Sequence, residues 1–224
     1  MPFTVEEKLK SVISEDCFLP VTGTSITLEQ DHKLAMDGET KKDWTQKLTI
    51  TNLEGNEIFF SFDKEDHKHY CRYIQANSKT FYAKACDYIM LKKINSKWTA
   101  YIGELKMKKI SAPEVDMQTK GTQAFLEYIK ALLNIDGFGG LQNLTVKRKV
   151  IGCHKPLVRA RHNNSGRPVG GAQRRAVSAV STAPATDLLD KSPSYNDIVA
   201  TRLAFDDSHR NHVTITLSDF LATP

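Results

Sequence analysis

Residues 84–109 read KACDYIMLKKINSKWTAYIGELKMKK, and the way this stretch pairs with itself decides the fold. Two runs of apolar, β-branched and aromatic residues, Tyr88 to Leu91 and Trp98 to Ile102, flank the turn-prone pair Asn95-Ser96, which is the pattern of a β-hairpin. A short loop closed at that pair sets Asp87 opposite Glu104, Ile89 opposite Ile102 and Leu91 opposite Ala100. Facing residues project from the same side of a ribbon, and the period-two alternation adds Lys106 to that side. An apolar face therefore ends in two carboxylates and an ammonium. Facing carboxylates repel each other, and desolvating them is costly unless a cation intervenes. Mg²⁺ or Mn²⁺ supplies such a cation, because hard ions take oxygen ligands and tolerate retained waters. Lys106 then stands where it can hold or activate a water on that ion.

Asp87, a hairpin, then Glu104-Leu105-Lys106 resembles the Asp…(Asp/Glu)-x-Lys signature of the PD-(D/E)XK nuclease superfamily, the fold of type II restriction enzymes. Cys86 stands where that signature usually has proline. The resemblance implies an α/β (α+β) fold, a restriction-endonuclease-like mixed sheet flanked by helices with an αβββαβ core. It implies Asp87, Glu104 and the Leu105 carbonyl as metal ligands, Lys106 as the catalytic amine, and Mg²⁺ or Mn²⁺ as cofactor. Members commonly open with a helix that lends a further carboxylate, for which Glu6 is the candidate here. They often place a polar residue of the following helix at the metal or the DNA, and Gln123 matches best, with Lys120 one turn earlier on the same side. The bland alternatives remain beside these readings: a surface hairpin with a cross-strand salt bridge, a first-turn Glu6 favoured by the helix dipole, and solvated Gln123 and Lys120.

At 224 residues the chain is long enough for a real core, and 40% apolar with 25% charged residues is ordinary for a globular protein. No apolar run is long enough to cross a membrane and the N-terminus lacks a signal-peptide core, so the expectation is a cytoplasmic protein with no membrane partner. Cys17, Cys71, Cys86 and Cys153 are scattered without CxxC spacing, which implies neither a disulfide framework nor a zinc ribbon. The net charge of +5 is unevenly spread. Lys147, Arg148, Lys149, Lys155, Arg159, Arg161, Arg167, Arg174 and Arg175 follow one another with no acidic residue between them, a block that suits a polyanion.

Around the hairpin, Thr4 to Ile13 reads as a short helix with a Thr4-x-x-Glu7 capping box and an apolar stripe of Val5, Leu9, Val12 and Ile13. Phe18 to Phe62 is β-patterned, either an insertion or the first strands of the main sheet, with turns at Asp37-Gly38 and Leu53 to Asn56. His67, His69 and Cys71 alternate, yet a mixed surface segment explains them better than a zinc site. Phe125, Tyr128, Ile129, Leu132 and Leu133 are spaced as the buried face of a helix over 115–134, and Leu144 to Cys153 as a strand. Asn163 to Thr186 has linker composition. Tyr195 to Phe205 is spaced as a helix, and Val213, Ile215 and Leu217 alternate as a strand. The division expected is a nuclease core over 1–158, a basic linker over 159–186 and a C-terminal appendage over 187–224.

The leading expectation is a Mg²⁺-dependent nuclease acting on DNA, with RNA left open, in restriction or anti-phage defence, working as a homodimer or with a partner subunit. Lys120, Lys147, Lys149, Arg159, Arg161, Arg167, Arg174 and Arg175 are its candidate phosphate contacts. The alternative is a non-catalytic nucleic-acid-binding or assembly protein that keeps a nuclease-like fold. A third reading makes the C-terminal segment the interaction arm of a regulator with a protein ligand.

Overall fold

The computed structural model describes residues 3–36, 39–62, 85–106, 110–154, 189–190, 197–204 and 211–222. In chain order the elements are α1 (Val5–Lys10), a 3-10 turn (Glu15–Cys17), β1 (Ile26–Met36), β2 (Glu39–Thr51), β3 (Glu57–Phe60), β4 (Tyr88–Ile94) and β5 (Lys97–Lys106). Then follow β6 (Ile110–Ser111), α2 (Ala112–Ile135), β7 (Thr145–His154), β8 (Leu189–Asp190), β9 (Ile198–Ala204), β10 (His212–Thr216) and α3 (Leu217–Ala222).

The central hairpin forms in the register its sequence implies. Asn95 and Ser96 adopt left-handed φ values of 48° and 66°, the two-residue turn whose twist matches that of the flanking strands. Tyr88 pairs with Gly103, Ile89 with Ile102 and Leu91 with Ala100. β3 lies antiparallel on the free side of β4, while β7 and then β9 add in parallel beyond β5, giving the five-stranded order β3-β4-β5-β7-β9. The β5-to-β7 connection is α2, the crossover that parallel neighbours need. β1, β2 and β10 form a second, three-stranded sheet. The protein is thus mixed α+β.

Alternation sorts the hairpin's side chains into two cores. Ile89, Leu91, Ala100 and Ile102 pack with Leu9 and Ile13 and with Leu126, Ile129 and Leu133 of α2. Tyr88, Met90, Tyr101 and Leu105 point the other way, against Leu28, Leu48 and Ile50 of the second sheet and Phe220 of α3. The five-stranded sheet is the middle layer. At its turn end the buried Lys92 ammonium meets Glu54 Oε2 at 2.9 Å, Asn56 Oδ1 at 3.2 Å and the buried Glu57 carboxylate, so a charge the core could not hold alone is matched on three sides.

The flanking elements depart from expectation in instructive ways. α1 has its Thr4 capping box with Glu7 but stops at Lys10, and Val12 is exposed. Phe18 to Phe62 splits between the sheets, β3 in the main one and the β1–β2 hairpin in the other. The buried stripe of α2 runs Val115, Thr119, Thr122, Leu126, Ile129 and Leu133, which leaves Tyr128 on the surface at 54% exposure. The helix ends where Gly137 turns left-handed at φ 76° and the Phe138 amide donates to the Leu133 carbonyl at 2.8 Å. The helix expected over 195–205 is instead strand β9 where it is described: pairing Ile198–Ala204 with β7 buries Ile198, Ala200, Thr201 and Leu203, a tertiary gain that outweighs helical spacing. Within the C-terminal segment, β9 extends the main sheet and β10 lies parallel to Lys47–Thr51 of β2. Asp37-Gly38, His67, His69, Cys71 and the linker at 163–186 lie outside the described residues.

Two packing details carry measurable consequences. A Cβ on Gly103 would come within 2.4 Å of both the Lys149 carbonyl oxygen and the Tyr88 hydroxyl. Because one of those atoms is backbone of the neighbouring strand, relief requires opening β5 from β7, so Gly103→Ala is expected to cost about 1–3 kcal/mol. An unchanged urea midpoint would contradict that contact. Lys149 is buried between Tyr101 and Phe220, its Nζ 5.6 Å and 4.9 Å from the two ring centroids, and donates to the Phe220 carbonyl. Burial first, then the Lys147 charge, draw its pKa down from 10.5 to about 8. Between those values the unfolded chain keeps the proton that the folded chain has released, so this residue makes stability rise with pH across that window. Titrated with urea from about pH 7 to about pH 10, wild type should gain stability relative to Lys149→Met; a pH-independent difference would refute it.

Candidate functional site

At the end of the hairpin away from its turn, β4 begins one residue after Asp87 and β5 ends on Lys106. The Asp87 carboxylate reaches across and accepts the Leu105 backbone N–H at 2.6 Å, which ties the acid to the strand position between Glu104 and Lys106. Glu104 continues the face of Ala100 and Ile102 toward α2 and is fully buried at 0% exposure. Its Oε2 is ion-paired with Lys106 Nζ at 2.7 Å. Asp87, Glu104, Leu105 and Lys106 are thus brought together by one register.

The electrostatics follow from burial. Desolvation disfavours the Lys106 ammonium, but Glu104, then Asp87, then Glu114 in the first turn of α2 outweigh it and raise the pKa above that of an ordinary lysine. The Cys86 thiol is driven well above its usual pKa by burial and by the neighbouring Glu104, so it stays protonated. Its backbone N–H donates to Thr122 Oγ1 at 2.7 Å. Thr122 belongs to the buried stripe of α2, and its contact with the segment leading into Asp87 was legible only as helical spacing.

The other candidates sit elsewhere. Glu6 is exposed and paired with Lys10 at 2.6 Å, because capping and the apolar stripe turn its side of α1 to solvent; the neighbouring Lys8 bridges to Asp136 just past the opposite end of α2 from the carboxylates. It is not part of this cluster. Gln123 is exposed one position beyond Thr122, since the stripe that faces the sheet passes through Thr122. Lys120 is exposed and bridges to Asp116 at 2.7 Å. Arg148, missed as a structural residue, extends from β7 to Asp116 Oδ1 at 2.6 Å, to Thr119 Oγ1 at 3.1 Å and to Asp197. Asp116 is pushed up by burial yet lowered on balance by Lys120 and Arg148, so this bridge is ionised and locks α2 to the sheet. Lys147 is exposed and Lys149 interior, whereas Arg159, Arg161, Arg167, Arg174 and Arg175 lie outside the described residues.

The donor set fits a hard divalent ion. Two carboxylates approach one strand end, and a residue in an extended strand directs its N–H and C=O to the same side, so the Leu105 carbonyl shares the side on which Asp87 binds. Among the described residues no group of three or more His, Cys, Asp or Glu side chains is gathered for a metal. Two acids with a carbonyl suit an ion that keeps waters and takes substrate oxygens, as Mg²⁺ does, better than an ion that demands a full protein cage. No helix among the described residues is long and apolar enough to cross a membrane. Comparison with protein-family models, with curated proteins and with solved structures matches nothing to this chain.

Because Glu104 is the larger of the charges that keep Lys106 protonated, Glu104→Gln should lower the Lys106 pKa while its burial remains. NMR titration of the lysine side chains measures this directly; a Lys106 value unmoved by the substitution would break the electrostatic account.

Proposed function

We propose that this protein is a PD-(D/E)XK-type nuclease that hydrolyses phosphodiester bonds of DNA with Mg²⁺ or Mn²⁺, serving restriction or anti-phage defence in the cytoplasm as a homodimer or with a partner subunit. The observation that carries this reading is the convergence of Asp87, Glu104 and Lys106 on one end of β5. Supporting it, α1, β3, β4, β5, α2 and β7 follow in the αβββαβ order of that superfamily, with β7 parallel to the Glu-x-Lys strand.

An ion held by the Asp87 and Glu104 carboxylates and the Leu105 carbonyl would supply Lewis acidity toward a phosphoryl oxygen and an acidified water as nucleophile. The chain's own groups do the rest. Lys106, held as an ammonium by its acidic neighbours, orients the attacking water through Nζ–H and offsets negative charge growing on phosphorus. Ile89 and Ile102, buried just behind the acids, keep bulk water from that side, so these interactions act at low dielectric. Exposed Lys120 and Lys147 are available to phosphates, and contacts of that kind make affinity fall with salt.

Purified protein with Mg²⁺ is expected to cleave DNA and to stop with EDTA, while Glu104→Gln and Lys106→Met, folded by circular dichroism, leave no cleavage. Equal cleavage by wild type and variants overturns the mechanism. Salt-dependent binding without metal and without cleavage would favour the non-catalytic binding protein.

A further inference from the structure

Two hydrogen bonds tie α2 to Asp87 and to the Glu-x-Lys strand. The Cys86 N–H donates to Thr122 Oγ1 at 2.7 Å. Cys86 precedes Asp87 in the chain, whose carboxylate takes the Leu105 N–H at 2.6 Å. Cys86 is fully buried and Thr122 is 1% exposed, so no water competes for the bond between them.

We propose that Thr122 is a positioning residue: a strut from the middle of α2 that fixes Asp87 at the metal site through the backbone N–H of the residue before it. The inference rests on the metal-site reading above. It needs a residue with a backbone N–H before the acid, which Cys86 supplies and a proline could not. It also assigns the helix's contribution to Thr122 in place of Gln123, which is exposed. The strut acts on charge placement, not on the reacting atoms. Carboxylates that ligate a metal are themselves oriented by hydrogen bonds, and losing such partners typically costs about 10–100-fold in metal affinity or activity.

The test compares full-length wild type with Thr122→Val and Thr122→Ser, measuring Mn²⁺ affinity by calorimetry, cleavage kinetics on DNA and thermal unfolding. Thr122→Val is expected to weaken Mn²⁺ binding by about tenfold or more and to lower kcat with KM for DNA unchanged. Thr122→Ser, which keeps the hydroxyl acceptor, should recover both. Wild-type Mn²⁺ affinity in Thr122→Val overturns the strut while leaving the nuclease reading intact. Conversely, if wild type binds Mn²⁺ and cuts no nucleic acid, the nuclease reading fails and the affinities of the two variants still decide the strut. A wild type that binds no Mn²⁺ overturns both.

Discussion

A carboxylate withdrawn from water imposes a demand on everything around it, and Glu104 is fully buried at the end of a central strand. The desolvation of such a charge exceeds what one neighbour returns unless the geometry is good and the remaining lone pairs are occupied. The Lys106 ammonium, 2.7 Å from Glu104 Oε2, answers that charge. The register of β4 against β5 makes this possible, since a slip of one residue would turn Glu104 into the other core, among Tyr88, Met90 and Tyr101. The turn at Asn95 and Ser96 is therefore tied to the acids through the strands between them.

The two faces of the main sheet divide the work. The α2 side carries the acids, their lysine and the Arg148 bridge that pins the helix to β7 and to the residue before β9. The opposite side is closed by the second sheet and α3, with Phe220 against Tyr88 and Tyr101 at centroid separations of 6.0 Å and 5.9 Å. Gly103 permits this: its missing side chain is the space Tyr88 occupies. Packing behind the strand and chemistry in front of it thus meet at adjacent residues, Gly103 and Glu104.

How far the sequence disclosed this arrangement depends on which forces act locally. The hairpin was legible because a turn pair and a period of two determine register together, and the meeting of Asp87, Glu104 and Lys106 followed from it. The phase of α2 was legible in part: Ile129 and Leu133 are buried as spaced, but the stripe that faces the sheet also includes two threonines that hydrophobicity alone does not mark, and Tyr128 is exposed. β9 was illegible for a different reason. Its apolar residues satisfy a helical wheel, and only the open edge of β7, built from residues about fifty positions earlier, makes a strand the better choice. Glu6 is turned to solvent and paired with Lys10, which no spacing within a short helix can report.

The basic run beginning at Lys147 illustrates a general limit of reading charge from composition. A run in a flexible segment is a patch, because every side chain reaches solvent. The same run on a strand flanked by β5 and β9 is distributed by alternation to two faces and by layer packing to different depths. Lys147 stays in water, Arg148 becomes an internal tie between three elements, and Lys149 enters an aromatic core where its charge is disfavoured. Two of the three cations at the start of the block are drawn inward, so an electrostatic footprint counted from the sequence overstates what a polyanion would meet on β7. Any attraction for nucleic acid from this strand must then come from Lys147 together with cations outside it, and the role of β7 is to set the helix and the Glu-x-Lys strand in place.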